Sequence, residues 1–170
     1  FAQVKGFDLV LRSPSVAPDR IKQADHHWSA TREFLRQSPA PIIGVTGSKG
    51  KGTTCSLIAS ILRQHLADRP ERHVHLLGNI GVPALDVVPS VGEDDIVVYE
   101  LSSFQLWDCT QSPTIAVVTM IEPDHLNVHR DYRDYVQAKL HILDYQHDGD
   151  TAVYNQSDSE SAELIGHIVA

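Results

Sequence analysis

The residues best suited to bind a phosphate chain lie at positions 46–54, in the order Thr-Gly-Ser-Lys-Gly-Lys-Gly-Thr-Thr. Glycines let a loop wrap closely around an anion, and the ammonium group of Lys51 can place a charge on its outer oxygens. The pattern departs from the usual phosphate loop, because Val45 replaces its first glycine and Gly52 replaces the hydroxyl residue that binds magnesium. Either Thr53 or water can fill that position. We predict phosphate binding by Gly47, Ser48, Lys49, Gly50, Lys51, Gly52 and Thr53.

The elements around this loop agree with that prediction. An apolar run over residues 41–45 precedes the loop, and Leu57, Ile58, Ile61 and Leu62 share one helical face after it. A strand, a glycine loop and a helix in this order present backbone N–H groups and a helix N-terminus to an anion. The alternative is a glycine-rich turn between strand and helix with an exposed lysine.

A carboxylate and an imidazole each follow a later apolar run. Glu100 ends the run at 95–99, and a carboxylate at a strand end near a phosphate loop suits magnesium. The alternative for Glu100 is an ordinary solvated side chain. His125 follows the run at 114–119, a position typical of loops that contact a ligand or metal, whereas we interpret His129 as structural.

The order of predicted elements indicates the fold. Strands are predicted at 7–11, 41–45, 73–77, 95–100, 114–119 and 150–154, and helices at 21–37, from the phosphate loop to about 66, and at 132–145. Strands that alternate with helices favour an α/β fold with a doubly wound, mostly parallel sheet. Ligands bind such sheets beyond the carboxyl ends of the strands, where the polar residues described above fall.

Composition excludes some classes of protein. The net charge of −8 and the lack of a basic run argue against a nucleic-acid partner, and no apolar run reaches membrane-spanning length. The two cysteines, Cys55 and Cys109, are far apart and form no metal-binding pattern, so we expect buried thiols in a reduced, cytoplasmic setting. We also expect no membrane association and a monomer.

Five short motifs, taken in order, resemble the Mur ligase family. They are Thr46-Gly47-Ser48-Lys49-Gly50-Lys51, Gly78-Asn79-Ile80-Gly81, Glu100-Leu101-Ser102-Ser103-Phe104-Gln105-Leu106, Asp124-His125-Leu126 and Ala138-Lys139. The run at 100–106 is most similar to the members that add D-glutamate to UDP-N-acetylmuramoyl-L-alanine. Folylpolyglutamate synthases share the phosphate loop but usually differ in that run. The opening residues 7–14 resemble the end of the family's N-terminal, UDP-binding domain.

The resemblance implies an enzyme that uses ATP to join an amino acid to a carboxylate, through an acyl-phosphate and then a tetrahedral intermediate. Its expected small molecules are ATP, two Mg²⁺ ions, D-glutamate and UDP-N-acetylmuramoyl-L-alanine. The family's catalytic positions match Lys51, His125 and Lys139. Its metal-binding positions match Glu100, His125, Thr53 and, if carbamylated, Lys139. Its substrate-binding positions match Asn79, Ser103 and Gln105. From composition alone, Lys139 is an unremarkable helix lysine, and Asn79 could equally be a turn residue.

The resemblance also predicts the domain organisation. Residues 1–22 would end the N-terminal UDP-binding domain, with its Rossmann-like fold, and 23–170 would form an incomplete central ATP-binding domain. We expect the C-terminal domain outside this chain and expect the chain alone to be inactive. Three departures from the family pattern are Gly52, Met120 in place of an asparagine, and Asn127-Val128 in place of Asp-Arg. They leave two alternatives: a ligase of the same family with another substrate, including a folylpolyglutamate synthase, or a degenerate nucleotide-binding scaffold.

Overall fold

A computed structural model describes residues 4–78 and 82–166. Its strands are β1 (Val10–Arg12), β2 (His27–Ser29), β3 (Ile42–Thr46), β4 (Val74–Leu77), β5 (Ile96–Glu100), β6 (Ile115–Val118) and β7 (Thr151–Tyr154). Its α-helices are α1 (Ala30–Gln37), α2 (Lys51–His65), α3 (Ala84–Val87), α4 (Ser103–Leu106), α5 (Tyr132–Leu140) and α6 (Ser159–Gly166). Short 3₁₀ turns cover Pro18–Ile21 and Val88–Ser90.

The main sheet has five parallel strands in the order β4-β5-β3-β6-β7. The central strand β3 pairs with β5 and β6, and its Val45 lies opposite Glu100 on one side and Val117 on the other. The carboxyl ends of these three strands therefore meet at one edge of the sheet. The predicted α/β fold with a mostly parallel sheet is confirmed.

Both faces of the sheet are buried, as parallel sheets require. On one face Val45 and Val98 pack with Cys55 and Ala59 of α2. On the other face the larger cluster includes Val97, Tyr99, Phe34 of α1 and Tyr135 of α5, with further members Leu101, Leu106, Val118, Leu143 and Ile165. The alternation of Val97, Val98 and Tyr99 along β5 thus supplies both cores with one strand.

Burial also fixes the state of the two cysteines. Cys55 and Cys109 are free and buried, as expected from the sequence. Burial raises the pKa of each thiol to about 12, so both are neutral and unreactive at neutral pH. No helix in the described part of the chain combines the length and the apolar character needed to cross a membrane.

Three predicted boundaries are wrong. The helix predicted at 21–37 is helical only from Ala30, and residues 27–29 instead form β2, which pairs in parallel with β1. The Ser29 hydroxyl caps α1 by accepting the N–H of Arg32, which fixes where the helix begins. The first strand lies at Val10–Arg12 rather than 7–11. The helix predicted at 132–145 ends at Leu140.

The segment before β2 is held by one buried guanidinium group. The Arg12 side chain is fully buried and contacts both carboxylate oxygens of Asp108, with Nε–Oδ2 at 2.9 Å and Nη2–Oδ1 at 2.5 Å. It also donates hydrogen bonds to the carbonyl oxygens of Phe104 and Val16 at 2.9 and 3.0 Å. This cluster ties β1 to α4. The domain boundary between residues 22 and 23 stays a prediction.

Candidate functional site

The predicted phosphate loop joins β3 to α2 at the carboxyl edge of the sheet, as expected. Gly47 has φ of +143°, and a Cβ atom there would overlap the hydroxyl of Thr119. Gly50 caps α2 with φ of +82°. Because α2 starts at Lys51, the free N–H groups of its first turn face this loop. The loop has the geometry of an anion site at a helix N-terminus.

Two lysine ammonium groups converge on one carbonyl oxygen of this loop. Lys51 Nζ lies 2.9 Å from Gly47 O, and Lys139 Nζ of α5 lies 2.8 Å from the same atom. Lys139 is 2% exposed, and its ammonium group stands over the ring of Tyr135 at 4.6 Å. Burial and then the charge of Lys51 lower the pKa of Lys139 to about 7. The structure thus brings Lys139 into the site.

Ser48 and Lys49 connect the loop to the chain after β6. The Ser48 hydroxyl donates to Glu122 O and accepts the Glu122 N–H, both at 2.8 Å, and lies 2.7 Å from the hydroxyl of Tyr135. Lys49 is exposed and forms an ion pair with the Glu122 carboxylate at 3.0 Å. The Ser48 side chain therefore serves to shape the loop, and its backbone N–H does the same by donating to Met120 O at 2.8 Å.

Glu100 is a buried carboxylate with an unused oxygen. It is 7% exposed at the end of β5, and its Oε2 has no hydrogen-bond partner among the residues that the structure describes. The hydroxyl of Thr46, at the end of the neighbouring β3, is in the same situation. Leaving a buried polar oxygen unpaired is costly, and a ligand or cation bound at this edge would offset that cost.

Magnesium fits this set of residues. Within residues 4–78 and 82–166, no three His, Cys, Asp or Glu side chains converge to hold a metal. Mg²⁺ does not need such a cage, because it commonly binds one or two carboxylates and completes its shell with water and substrate phosphates. A single free carboxylate oxygen beside a phosphate loop is compatible with that mode.

Two other predicted metal-binding residues, His125 and Thr53, are more exposed to solvent than Glu100. His125 is exposed, lies 5.0 Å from the ring of Phe104, and its Nε2 is 3.5 Å from Asp124 Oδ2. Its φ of +54° is a conformation that residues other than glycine adopt rarely, often at functional sites. Thr53 is exposed on the first turn of α2. Both side chains can reach a ligand from solvent.

The predicted substrate contacts have internal partners. Ser103 is 2% exposed, and its hydroxyl lies 3.0 Å from His129 Nε2. The Gln105 side chain accepts hydrogen bonds from the N–H and the hydroxyl of Ser102 at 3.0 and 2.8 Å, which forms a capping box at the start of α4. Asn79 lies outside the described residues. Its role, like those of Ser103 and Gln105, stays a prediction.

Sequence reasoning missed two residues that support the site. From sequence alone Tyr135 had no role in the site, yet it contacts both Ser48 and Lys139. Its spacing of four residues from Lys139 on one helix was a usable signal, because such residues are neighbours on the helix surface. Glu122, which holds Ser48 and Lys49, gave no comparable signal.

Comparisons with known proteins agree with this geometry. The profile of the family described as Mur ligase middle domain matches residues 45–169. The UDP-N-acetylmuramoylalanine--D-glutamate ligase of Clostridium botulinum (strain Kyoto / Type A2) is 36% identical over 95% of this chain and 36% of its own length. The enzyme of the same description from Acetivibrio thermocellus is 38% identical over 96% of this chain and 35% of its own length. The chain thus spans about a third of these relatives.

A solved structure supports the fold. The structure described as MurF ligase from Thermotoga maritima in complex with ADP matches with a TM-score of 0.58 and 20% identity, over 98% of this chain and 47% of that chain. At that identity the likeness concerns the fold alone. The family profile, by contrast, covers most of the chain, including the phosphate loop, Glu100, His125 and Lys139. The chain therefore belongs to the Mur ligase middle-domain family.

Proposed function

We propose that this chain provides the ATP and metal site of a ligase that adds D-glutamate to UDP-N-acetylmuramoyl-L-alanine. The observation that carries the proposal is the meeting of Lys51, Lys139 and Glu100 at the phosphate loop, with one buried Glu100 oxygen that has no partner among the described residues. The description of the curated relatives supports the choice of substrates. The ADP in the structure of the T. maritima relative supports the choice of nucleotide.

The phosphate loop would hold the β- and γ-phosphates of ATP. Its backbone N–H groups and the N-terminus of α2 offer hydrogen bonds and partial positive charge to the phosphate oxygens. Lys51, now bonded to Gly47 O and Ser48 O at 2.9 and 3.2 Å, would turn to the phosphates and stabilise the charge that develops during transfer. Lys49 is exposed and would act from the rim of the loop.

Two Mg²⁺ ions would be held by few protein groups. Glu100, with the Thr53 hydroxyl in place of the one absent at Gly52, would hold the first, and His125 would contribute to the second. Bound Mg²⁺ neutralises phosphate charge and makes the γ-phosphate easier to transfer. The unpaired Glu100 oxygen supports this assignment, because a cation would satisfy it.

Lys139 would act as a carbamate. Its neutral amine would form an N–C bond with CO₂ and release one proton, which replaces a cation with an anion. A bare ammonium beside Mg²⁺ would be repelled, whereas a carbamate oxygen can bind the ion. Conversion would also free Gly47 O from one of its two ammonium partners.

The reaction would proceed in two transfers. The carboxylate of the UDP-linked substrate would attack the γ-phosphorus of ATP, forming an acyl-phosphate and releasing ADP. The amine of D-glutamate would then attack the acyl carbon, and phosphate would leave from the tetrahedral intermediate. Asn79, Gln105 and the first turn of α4, which begins at Ser103, would hold the UDP-linked substrate, and Lys51 would stabilise the phosphoryl group.

The domain arrangement and the setting belong to the same proposal. Residues 1–22 would end a UDP-binding domain, residues 23–170 would form much of the central domain, and D-glutamate would bind a further domain. The two buried, free cysteines are compatible with a reduced compartment, and we place the reaction in the cytoplasm. We propose a monomer.

The test uses the full-length protein that contains this chain. ADP release should require both UDP-N-acetylmuramoyl-L-alanine and D-glutamate. Lys51→Met should abolish it, while Lys5→Met, at an exposed position outside the loop, should retain most of it. Release with a folate and glutamate instead would indicate a folylpolyglutamate synthase. No binding of ATP at all would support the scaffold alternative and overturn the proposal.

A second measurement tests the modified lysine. The native mass of the full-length protein at mildly alkaline pH should increase by one CO₂ in bicarbonate, and Lys139→Ala should show no increase. No adduct under conditions that preserve it in a known ligase would contradict the carbamate.

A further inference from the structure

The ring of His129 is enclosed by aromatic side chains of two helices. Its side chain has no exposed surface. Trp107 and Phe104, of α4 and its end, lie with ring centroids 4.1 and 5.3 Å away, and the Phe104 ring is stacked on the imidazole. Tyr135 of α5 contacts it edge-on at 5.2 Å. A histidine this confined cannot meet a ligand itself, so its polar atoms act on protein partners.

Both ring nitrogens have such partners. His129 Nδ1 lies 3.2 Å from Asp134 Oδ2 of α5, and Nε2 lies 3.0 Å from the hydroxyl of Ser103 on α4. A carboxylate can only accept, so Nδ1 carries the proton and Nε2 accepts the hydrogen of Ser103. Arg130 holds the Asp134 carboxylate in turn, at 2.7 Å. The result is a fixed chain of hydrogen bonds from α5 to α4.

The order Ser-His-Asp is also that of a nucleophilic triad, but the surroundings exclude that use. A triad serine must reach a substrate carbonyl and needs oxyanion donors beside it. Ser103 is 2% exposed, and its hydroxyl is hydrogen-bonded to His129 inside a closed aromatic pocket. The chain of hydrogen bonds therefore supports structure around it and does not attack a substrate.

The segments joined by His129 carry the predicted chemistry. Ser103 begins the helix of the Gln105 capping box, three residues after Glu100. Asp134 lies on the helix of Lys139. The backbone N–H of His129 bonds to the carbonyl of His125 at 3.1 Å. The imidazole of His129 thus bonds to α4 and α5, and its backbone N–H bonds to the loop of His125.

We propose that His129 is a positioning residue that, through Ser103, fixes the first turn of α4 for the UDP-linked substrate. This role of His129 rests on the proposed function, and it adds to that function a residue that does not contact the reactants. Ser103 then anchors this turn by its hydrogen bond to His129 and is not itself a substrate contact. Misplacement of a substrate-holding turn by about 1 Å can cost a large factor in rate, so even one buried hydrogen bond matters here.

The chain offers a matched control in Tyr135. Its hydroxyl makes a buried hydrogen bond of 2.7 Å to Ser48, but this bond leads to the phosphate loop and not to α4. Tyr135→Phe removes that bond and keeps the ring. It should raise the KM for ATP and leave the KM for the UDP-linked substrate within about twofold.

The kinetic test compares variants of the full-length protein. Ser103→Ala and His129→Phe should each raise the KM for UDP-N-acetylmuramoyl-L-alanine about tenfold, the value of one buried hydrogen bond, with the KM for ATP within about twofold. The double variant should be no worse than either single one, because both remove the same interaction. His129→Gln, whose amide can accept from Ser103, should recover part of the loss. Additive effects would show direct substrate contact by Ser103, and equal changes in both KM values would show general damage; either overturns the proposal.

A second readout does not depend on the reaction. Nitrogen-15 shifts of the His129 ring in this chain should report a protonated Nδ1 and an accepting Nε2, and Ser103→Ala should move the Nε2 resonance. An Nε2–H tautomer would overturn the role of His129. Absence of ligation by the wild-type protein would instead overturn the proposed function, so the two failures are distinguishable.

Discussion

Two buried carboxylates stand at opposite ends of β5 and differ in how their oxygens are used. Asp95, directly before the strand, is 4% exposed and accepts hydrogen bonds from the backbone of Gly92 and His73 at 2.9 and 2.7 Å and from His75 Nε2 at 2.9 Å. Glu100, the last residue of the strand, is 7% exposed and keeps one oxygen without a partner among the described residues.

The difference separates a structural carboxylate, Asp95, from Glu100, for which we propose a binding role. Burial alone would raise the pKa of Asp95, but the bonds from Gly92, His75 and His73 outweigh it and hold the pKa well below its usual range. Such a group stabilises the fold by itself. Glu100 lies at the edge where parallel sheets bind ligands, and its unpaired oxygen costs stability unless a ligand or cation satisfies it.

The sharpest test of the comparison is Glu100→Gln. In the full-length protein the rate of ADP release should fall about 10³-fold or more, since loss of a metal ligand exceeds the 10- to 100-fold effect of its outer partners. The free energy of unfolding of the chain should stay within about 1 kcal/mol or rise, because a buried charge is removed. Glu93→Gln, exposed near the other end of β5, is the control for both measurements. A clear loss of stability without loss of activity would reverse the assignment.

The opposite outcome is expected for Asp95→Ala. It leaves the N–H groups of Gly92 and His73 without their acceptor, so urea unfolding should show a loss of about 3 kcal/mol. Nucleotide binding should not change, because Asp95 lies at the far end of the strand. Asp94→Ala, at the exposed neighbouring position, should cost less than about 0.5 kcal/mol. Similar losses from both variants would mean that the hydrogen bonds of Asp95 contribute little.

Lys139 extends the comparison to a buried cation at the binding edge. Its pKa is about 7 in the folded chain and about 10.5 unfolded, so the folded state binds fewer protons between these values. Stability should therefore rise with pH by about 1 kcal/mol per unit from pH 7 to 9. Lys139→Met should lack this contribution, as measured by urea unfolding in buffer free of CO₂. Parallel curves for the two proteins would contradict the lowered pKa.

The smallest effect is expected at Thr46, whose hydroxyl is also buried without a partner in the described part of the chain. Thr46→Val keeps the shape and removes the unsatisfied group. Thermal unfolding should show a gain of about 1 kcal/mol. A loss of stability would mean that bound water satisfies the hydroxyl. Thr46 would then be a hydrogen-bonded structural group like Asp95, and not an unsatisfied one like Glu100.

Sequence reasoning succeeded where the signal is local. The phosphate loop and α2 follow from glycines and apolar spacing within twenty residues. The position of Glu100 follows from the apolar run before it. His129 was interpreted as structural and is indeed buried, but its pairing with Ser103, 26 residues away, leaves no local pattern in the sequence. Similarly, β2 was taken for helix because it has only three residues and runs directly into α1. Lys139 entered the site only through resemblance, since a lone lysine on a helix carries no pattern of its own.

The Arg12–Asp108 pair has a practical consequence for anyone who prepares the central domain alone. A version of the chain shortened to start at residue 23, the predicted boundary, would lose Arg12 and keep the buried Asp108 carboxylate. Removing one partner of a buried ion pair typically costs about 3–5 kcal/mol, a large part of the total stability of a small domain. Such a shortened protein should be poorly expressed and quickly degraded by proteases. A start before Val10 keeps β1, Arg12 and the last turn of α4 together.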